Sequence, residues 1–279
     1  MVREYKFFLA GDWVESGEWD EITNPYNGEL VGRAALPGEE HLEAAIRAAQ
    51  RAFEETRFWS ACKRADALDG IVAGLTAREE ELAEMITRES GKPIKYSRGE
   101  VTRAISTFTL AREEARRIGG EVLPLDITER TEGYFGFVTR VPIGPISAIT
   151  PFNFPLNLVA HKVAPALACG NPIVLKPPHQ TPLTSLLLAE IVEGAGAVPG
   201  SFSVLPLPIE SAAGLIEDGR FKLLSFTGSA RVGWELKAKA GKKRVALELG
   251  GNAAAIVHSD ADLDWAAERC AIGGFAFAG

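Results

Sequence analysis

Ile146-Ser147-Ala148-Ile149-Thr150-Pro151-Phe152-Asn153-Phe154-Pro155 decides the fold. Residues 146–150 are a short, mostly apolar run with β-branched side chains, which suits a strand buried on both faces. Pro151 ends the run, and residues from about 156 to 168 then read as a helix. The same unit recurs downstream. A strand over 173–176 precedes a helix across 181–193. One over 203–205 precedes a helix near 209–216. One over 223–226 precedes a helix over 231–239, and 245–248 closes the series. Five short apolar strands separated by helices predict an α/β fold with a doubly wound parallel sheet, a Rossmann-like cofactor domain.

Upstream the pattern differs. Residues 7–36 mix aromatics with Gly11, Gly17, Pro25, Gly28 and Gly32, which reads as short strands and turns. Leu42, Ala45, Ile46, Ala49, Ala52 and Phe53 share one helical face. A second helical region spans about 60–89 and is stopped by Gly91-Lys92-Pro93. A third spans about 97–118 and ends at Gly119-Gly120. Residues 134–141 are rich in aromatic and β-branched side chains. Pro142-Ile143-Gly144-Pro145 follows, so two strands, 134–141 and 146–150, are expected around that turn.

Composition excludes several partners. The chain has 279 residues and a formal net charge of −7, which gives no electrostatic pull toward nucleic acid or an anionic membrane surface. No apolar run approaches the roughly 20 residues of a spanning helix. Only four apolar residues precede Gly11-Asp12, too few for the apolar region of a signal peptide. Cys62, Cys169 and Cys270 have no paired spacing, which fits a reducing compartment, and a cytoplasmic protein is expected. His41, His161, His179 and His258 are scattered without metal-ligand spacing, so no metal is expected.

An open parallel sheet binds its ligand beyond the carboxyl ends of its strands. Three motifs fall at such ends: Thr150-Pro151-Phe152-Asn153, Lys176-Pro177-Pro178-His179, and Phe226-Thr227-Gly228-Ser229 with Gly233 in the next helix. Gly228 permits close backbone approach, and the following helix start favours a phosphate. Taken singly, each is also an ordinary strand-to-helix turn, and Lys176 an ordinary solvated strand-end lysine. Three such turns together point to a nucleotide.

These motifs, with Glu248-Leu249-Gly250-Gly251-Asn252, Phe8-Leu9-Ala10-Gly11-Asp12-Trp13 and Asn24-Pro25, resemble the aldehyde dehydrogenase superfamily along the whole chain. The resemblance implies NAD or NADP as cofactor and oxidation of an aldehyde to a carboxylic acid through a cysteine thioester. It implies cofactor-binding roles for Thr150, Pro151, Phe152, Asn153, Lys176, Pro178, His179, Thr227, Gly228, Ser229, Gly233 and Leu249. In similar enzymes the lysine of the Lys-Pro motif holds the adenosine ribose, and a glutamate three residues later binds its hydroxyls. Here that place is His179, which lacks a carboxylate's repulsion of a 2′-phosphate, so NADP is expected to be tolerated.

Such a reaction needs a thiolate, an oxyanion donor, a hydride acceptor and a base for deacylation. By resemblance Asn153 is the oxyanion donor, Glu248 the base and Lys162 a proton relay near the nicotinamide. Burial at a strand end is expected to raise the pKa of Glu248 toward a base's range. A glutamate merely paired with Lys242 or Lys243 is the plainer reading. Phe275-Ala276-Phe277-Ala278-Gly279 resembles the run that leads into the catalytic cysteine. The chain is therefore expected to be an N-terminal portion without its nucleophile, inactive alone. Cys270 reads as a buried apolar-helix residue within 265–277, Cys169 as core, and Cys62, beside Lys63 and Arg64, as somewhat reactive.

The resemblance further implies a cofactor domain over 1–120 and 145–250, the first part of an oligomerisation arm, a β-hairpin, over 121–144, and a catalytic domain beginning at 251–279. A homodimer or homotetramer and a small aldehyde substrate follow, with semialdehyde, lactaldehyde and non-phosphorylating glyceraldehyde-phosphate dehydrogenases nearest in appearance. Two alternatives stay open: an acyl-CoA or acyl-phosphate reductase of the same superfamily, against which Glu248 argues, and a non-catalytic nucleotide-binding relic.

Overall fold

The computed structural model describes residues 3–276. Its strands in chain order are β1 (Glu4–Tyr5), β2 (Phe7–Leu9), β3 (Asp12–Val14), β4 (Trp19–Thr23), β5 (Leu30–Ala35), β6 (Glu121–Pro124), β7 (Phe135–Val138), β8 (Ile146–Ile149), β9 (Ile173–Lys176), β10 (Phe202–Val204), β11 (Leu223–Gly228) and β12 (Arg244–Leu249). The helices are α1 (Glu39–Thr56), α2 (Ala61–Ala77), α3 (Glu79–Ser90), α4 (Ile94–Ala115), α5 (Asn157–Ala168), α6 (Leu183–Gly194), α7 (Ala213–Glu217), α8 (Ala230–Lys239) and α9 (Leu263–Phe275).

Seven strands form the central sheet in the order β12-β11-β8-β9-β10-β2-β3. The run from β12 to β10 is parallel, as the strand–helix alternation predicts. The N-terminal β2–β3 hairpin extends it antiparallel from β10. A separate small sheet runs β1-β5-β4, and β6 pairs with β7 in an antiparallel ribbon.

Side-chain alternation divides the core. Ile173 and Leu175 join the cluster under α5 and α6, while Val174 between them joins the cluster that includes α1 and α7 residues. Every residue of β9 is buried, as a strand covered by helices on both faces requires. Truncating Leu175 to alanine is worth about 2–5 kcal/mol at such a site. β12 is the sheet edge: Arg244, Ala246 and Glu248 are exposed and alternate with half-covered Val245, Leu247 and Leu249.

Several expectations are corrected. The strands 134–141 and 146–150 do not pair around Pro142–Pro145. β7 pairs instead with β6, which the sequence reading missed, and β8 enters the sheet between β11 and β9. The intervening segment is fixed to the sheet entrance: Ile143 N and Gly144 N donate to Asn171 Oδ1 at 2.9 and 3.0 Å, and Ile146 N to Pro172 O at 2.8 Å. The helical region 60–89 is two helices, broken at Arg78 (φ −114°, ψ 22°), whose guanidinium binds Glu81 and Glu190. The third helix begins earlier, at Ile94. The helix near 209–216 is a 3₁₀ turn, Glu210–Ala212, followed by the short α7.

Candidate active site

The chain runs β8 to β9 to β10 in one direction, then returns to β11 on the other side of β8. This is a topological switch point, so the crevice lies beyond the carboxyl ends of β8 and β11.

At the end of β8, Thr150 is buried and its amide donates to Lys176 O at 3.3 Å. Its hydroxyl has no partner among the described residues. Phe152 is exposed and Asn153 half-buried. Both line a cleft with Gly91, Lys92 and, from the end of α9, Phe275 and Ala276. The fold therefore brings the last described residues to the Asn153 turn. Residues 277–279, the remainder of the run that resembles the approach to a nucleophile, lie outside the described residues.

Sequence reasoning missed two residues here, having treated Gly91-Lys92-Pro93 only as a helix stop. Gly91 caps α3 at φ +69°, a left-handed conformation that suits glycine and turns the chain inward. Lys92 then reaches the interior, where its ammonium pairs with the Glu100 carboxylate and donates to Asn153 O at 2.8 Å. Glu100 Oε1 accepts from Leu156 N and Asn157 N at 2.9 and 3.1 Å, capping α5.

A parallel device serves the next motif. Glu89 is buried and accepts from Leu183 N at 2.8 Å, Thr184 N at 3.0 Å and Thr184 Oγ1, capping α6. Burial pushes its carboxyl up to about 8 against those bonds. A signal for both acids exists: Glu89 continues the core-facing phase of Leu82 and Ile86, and Glu100 is followed by buried Val101 and Ala104.

Lys176 is buried at the end of β9, and no hydrogen bond engages its ammonium among the described residues. Desolvation lowers its pKa and the Glu210 carboxylate opposes this. Pro178 is buried, while His179 points outward, its Nδ1 3.3 Å from Asp20 Oδ2. Thr181 Oγ1 is buried and has no hydrogen-bond partner among the described residues. A free ammonium and unpaired hydroxyls at neighbouring strand ends fit a polar, hydroxyl-bearing ligand such as a nucleoside.

Thr227 and Gly228 are the last residues of β11, paired with Glu248 and Leu249, so the turn itself begins at Ser229. Ser229 caps α8 by accepting from Val232 N at 3.4 Å. Carboxylates occupy the N-termini of α5 and α6, whereas none of the described residues places one on α8. Of the three turns, α8 is therefore the one open to an anion. Gly233 is buried where a Cβ would overlap Leu249, which locks α8 to the end of β12.

Lys162 lies on α5, buried, and donates to Ser225 Oγ at 2.9 Å. Desolvation pushes its pKa down to about 8, with the Glu248 charge opposing. The neighbouring His161 is also lowered, first by burial and then by Arg103 and Lys162. Register pairs Ser225 with Ala246 and Thr227 with Glu248, so Ser225, Thr227 and Glu248 share one face of the sheet. Glu248 is exposed, contrary to the expected burial, because β12 is the edge strand and residues 250–262 carry no helix or strand over it. Nor is it paired with Lys243, whose ammonium donates to Ile216 O and Asp218 O.

The cysteine expectations change. Cys62 Sγ lies 3.4 Å from Asp66 Oδ2, and that bond raises the thiol's pKa, so the basic neighbours do not activate it. Cys169 is half-buried and raised by burial. Cys270 is exposed, because α9 has little of the described chain against it. No group of three or more metal-ligating side chains occurs among the described residues, and no described helix is long and apolar enough to cross a membrane.

A doubly wound sheet with its motifs around the switch point defines a dinucleotide-binding type of fold. A family model described as the aldehyde dehydrogenase family matches residues 13–279, and the chain belongs to that family. A crystal structure of aldehyde dehydrogenase 21 from Physcomitrella patens, in complex with the reaction product succinate, superposes with a TM-score of 0.94 at 48% identity, covering 99% of this chain and 58% of that one. The 3-sulfolactaldehyde dehydrogenase of Priestia megaterium is 41% identical over 96% of this chain and 56% of its own length. The NADP(+)-dependent succinate-semialdehyde dehydrogenase GabD of Escherichia coli is 38% identical over 97% of this chain and 56% of its own. The chain thus spans little more than half the length of its relatives. GabD is named for NADP(+), and a betaine aldehyde dehydrogenase from Staphylococcus aureus, 31% identical with a TM-score of 0.90 over 96% of this chain and 55% of that one, was solved in complex with NAD+.

Proposed function

We propose that the whole protein oxidises a small aldehyde to its carboxylic acid, with NAD or NADP as hydride acceptor. Residues 1–120 and 145–250 form the cofactor domain, 121–144 the start of an assembly arm and 251–279 the start of the catalytic domain. The observation that supports this best is that buried Lys162, bonded to Ser225, stands on the same side of the sheet as exposed Glu248.

The nucleotide is read along the three turns. Lys176 and the Thr150 end of β8 take the adenosine ribose, with Pro178 and His179 at its border. The α8 start at Ser229, reached past Thr227 and Gly228, takes the pyrophosphate. Phe152, Pro151 and Leu249 border the crevice between them. The bound cofactor supplies the hydride acceptor. Asn153 offers its side-chain N–H to the oxyanion that develops when a cysteine thiolate attacks the aldehyde carbon. Glu248 removes a proton from the water that hydrolyses the resulting thioester, and its exposure leaves it accessible to that water. Lys162, near 8, exchanges a proton at neutral pH. The cysteine of this reading is none of Cys62, Cys169 and Cys270.

The test is NAD(P)H formation by the whole protein with succinate semialdehyde, without added thiol acceptor or phosphate. Turnover is expected, and Glu248→Gln should leave about one equivalent of product formed rapidly with subsequent turnover lowered by at least a hundredfold. A strict requirement for coenzyme A or phosphate would instead mark a reductase of the same superfamily.

A further inference from the structure

We propose that Lys92 and Glu100 are positioning residues for Asn153, acting as one buried ion pair that fixes the turn on which the oxyanion donor sits. This rests on the role of Asn153 proposed above. The pair grips the turn at four points within five residues. Lys92 Nζ donates to Asn153 O at 2.8 Å and stands 4.2 Å from the centre of the Phe154 ring. Glu100 Oε1 accepts from Leu156 N and Asn157 N, and its other oxygen holds the Lys92 ammonium. The Lys92 side chain is 7% exposed and that of Glu100 fully buried, so neither is an adjustable surface group.

The two grips act on opposite ends of the turn. Glu100 anchors the helix start, and Lys92 anchors the main chain of Asn153 itself. Between them the main chain at Asn153 is held in place, which fixes the point from which its side-chain amide is presented. Oxyanion donors are worth most when held in place before the charge develops, because no reorganisation is then needed in the transition state. Lys92 also lines the same cleft as Asn153, so its loss changes the turn on the side where the substrate carbonyl would lie.

A purely structural pair would lower stability without acting through Asn153, and a double-mutant cycle separates the two. In the whole protein, Lys92→Met is expected to lower kcat about tenfold or more at saturating cofactor, with the cofactor KM within about threefold of wild type. In an Asn153→Ala background the same substitution should lower kcat by less than about twofold, since the group it positions is gone. Glu100→Gln, which keeps an acceptor for the two amides but loses the charge, is read in the same cycle and serves if Lys92→Met does not fold. Equal fold losses in both backgrounds, or a folded Lys92→Met with wild-type kcat, would overturn the proposal while leaving the function intact. A wild type that oxidises no aldehyde overturns both.

Discussion

Lys162 Nζ donates to Ser225 Oγ at 2.9 Å, joining α5 to β11 on the face of the sheet that presents Glu248. The lysine is buried and its pKa falls from 10.5 to about 8. The folded value is below the unfolded one, so the charged form is disfavoured in the folded state. Below pH 8 that cost is present in full, about 3 kcal/mol for the difference between the two values, and it is relieved as pH rises from 8 toward 10.5. Lys162→Met should stabilise the protein at pH 7 by about 1–3 kcal/mol after the lost Ser225 bond. It should also reduce kcat. Urea unfolding of both proteins between pH 7 and 10.5 checks this; a variant less stable than wild type at pH 7, or a gap that does not narrow with pH, counts against it.

Gly233 and Leu249 form the lock between α8 and β12. Gly233→Ala should cost about 1–3 kcal/mol through overpacking and shift the strand end that carries Glu248. Adding Leu249→Ala should recover part of the loss by making room for the new methyl. If Gly233→Ala is neutral in thermal unfolding, the packing between α8 and β12 is looser than its geometry indicates.

His179 Nδ1 and Asp20 Oδ2 stand 3.3 Å apart, and cofactor choice is expected to turn on this pair. Position 179 lacks a carboxylate, while Asp20 brings one beside it. His179→Glu should weaken NADP binding by about 1–3 kcal/mol more than NAD binding, from Coulomb energies at an effective dielectric near 20 with salt screening. Asp20→Asn should shift preference the other way, toward NADP. Isothermal titration of both cofactors measures this, and equal losses for both would remove position 179 as the discriminator.

The β6–β7 ribbon carries Phe135 and Phe137 at 73% and 69% exposure. Being two residues apart, they lie on one face of β7, with Val122 directly opposite Phe137. Such an apolar two-stranded edge calls for a partner. A second copy of the chain is the partner expected. Changing both phenylalanines to serine should at least halve the mass of the whole protein by light scattering at micromolar concentration. A wild-type monomer would rule the arm out.

The alternation of apolar strands and helices from residue 146 to 249 was legible because a parallel strand covered on both faces must be apolar along its length, and β9 matches its predicted limits. The strand-end positions of Lys176, Ser229 and Glu248 followed from the same pattern. Local pattern carries no partner information, however. Residues 134–141 and 146–150 looked like two arms of a hairpin, and only the competition between the ribbon and the sheet interior for those strands separated them. Burial was misjudged for the same reason: Glu248 and Cys270 sit in apolar sequence, yet one is on an edge strand and the other on a helix with little packed against it. The helical phase of Glu89 and Glu100 hinted at burial, but what these acids and Lys92 hold could not be read, because the turns they bind lie about 50 to 95 residues away in the chain. By itself the sequence determined the alternation of strands and helices from residue 146 to 249 and which polar residues stand near those strand ends. The tertiary structure alone decided which charges are buried and which turn each one holds, since desolvation and pairing depend on neighbours that only folding brings together.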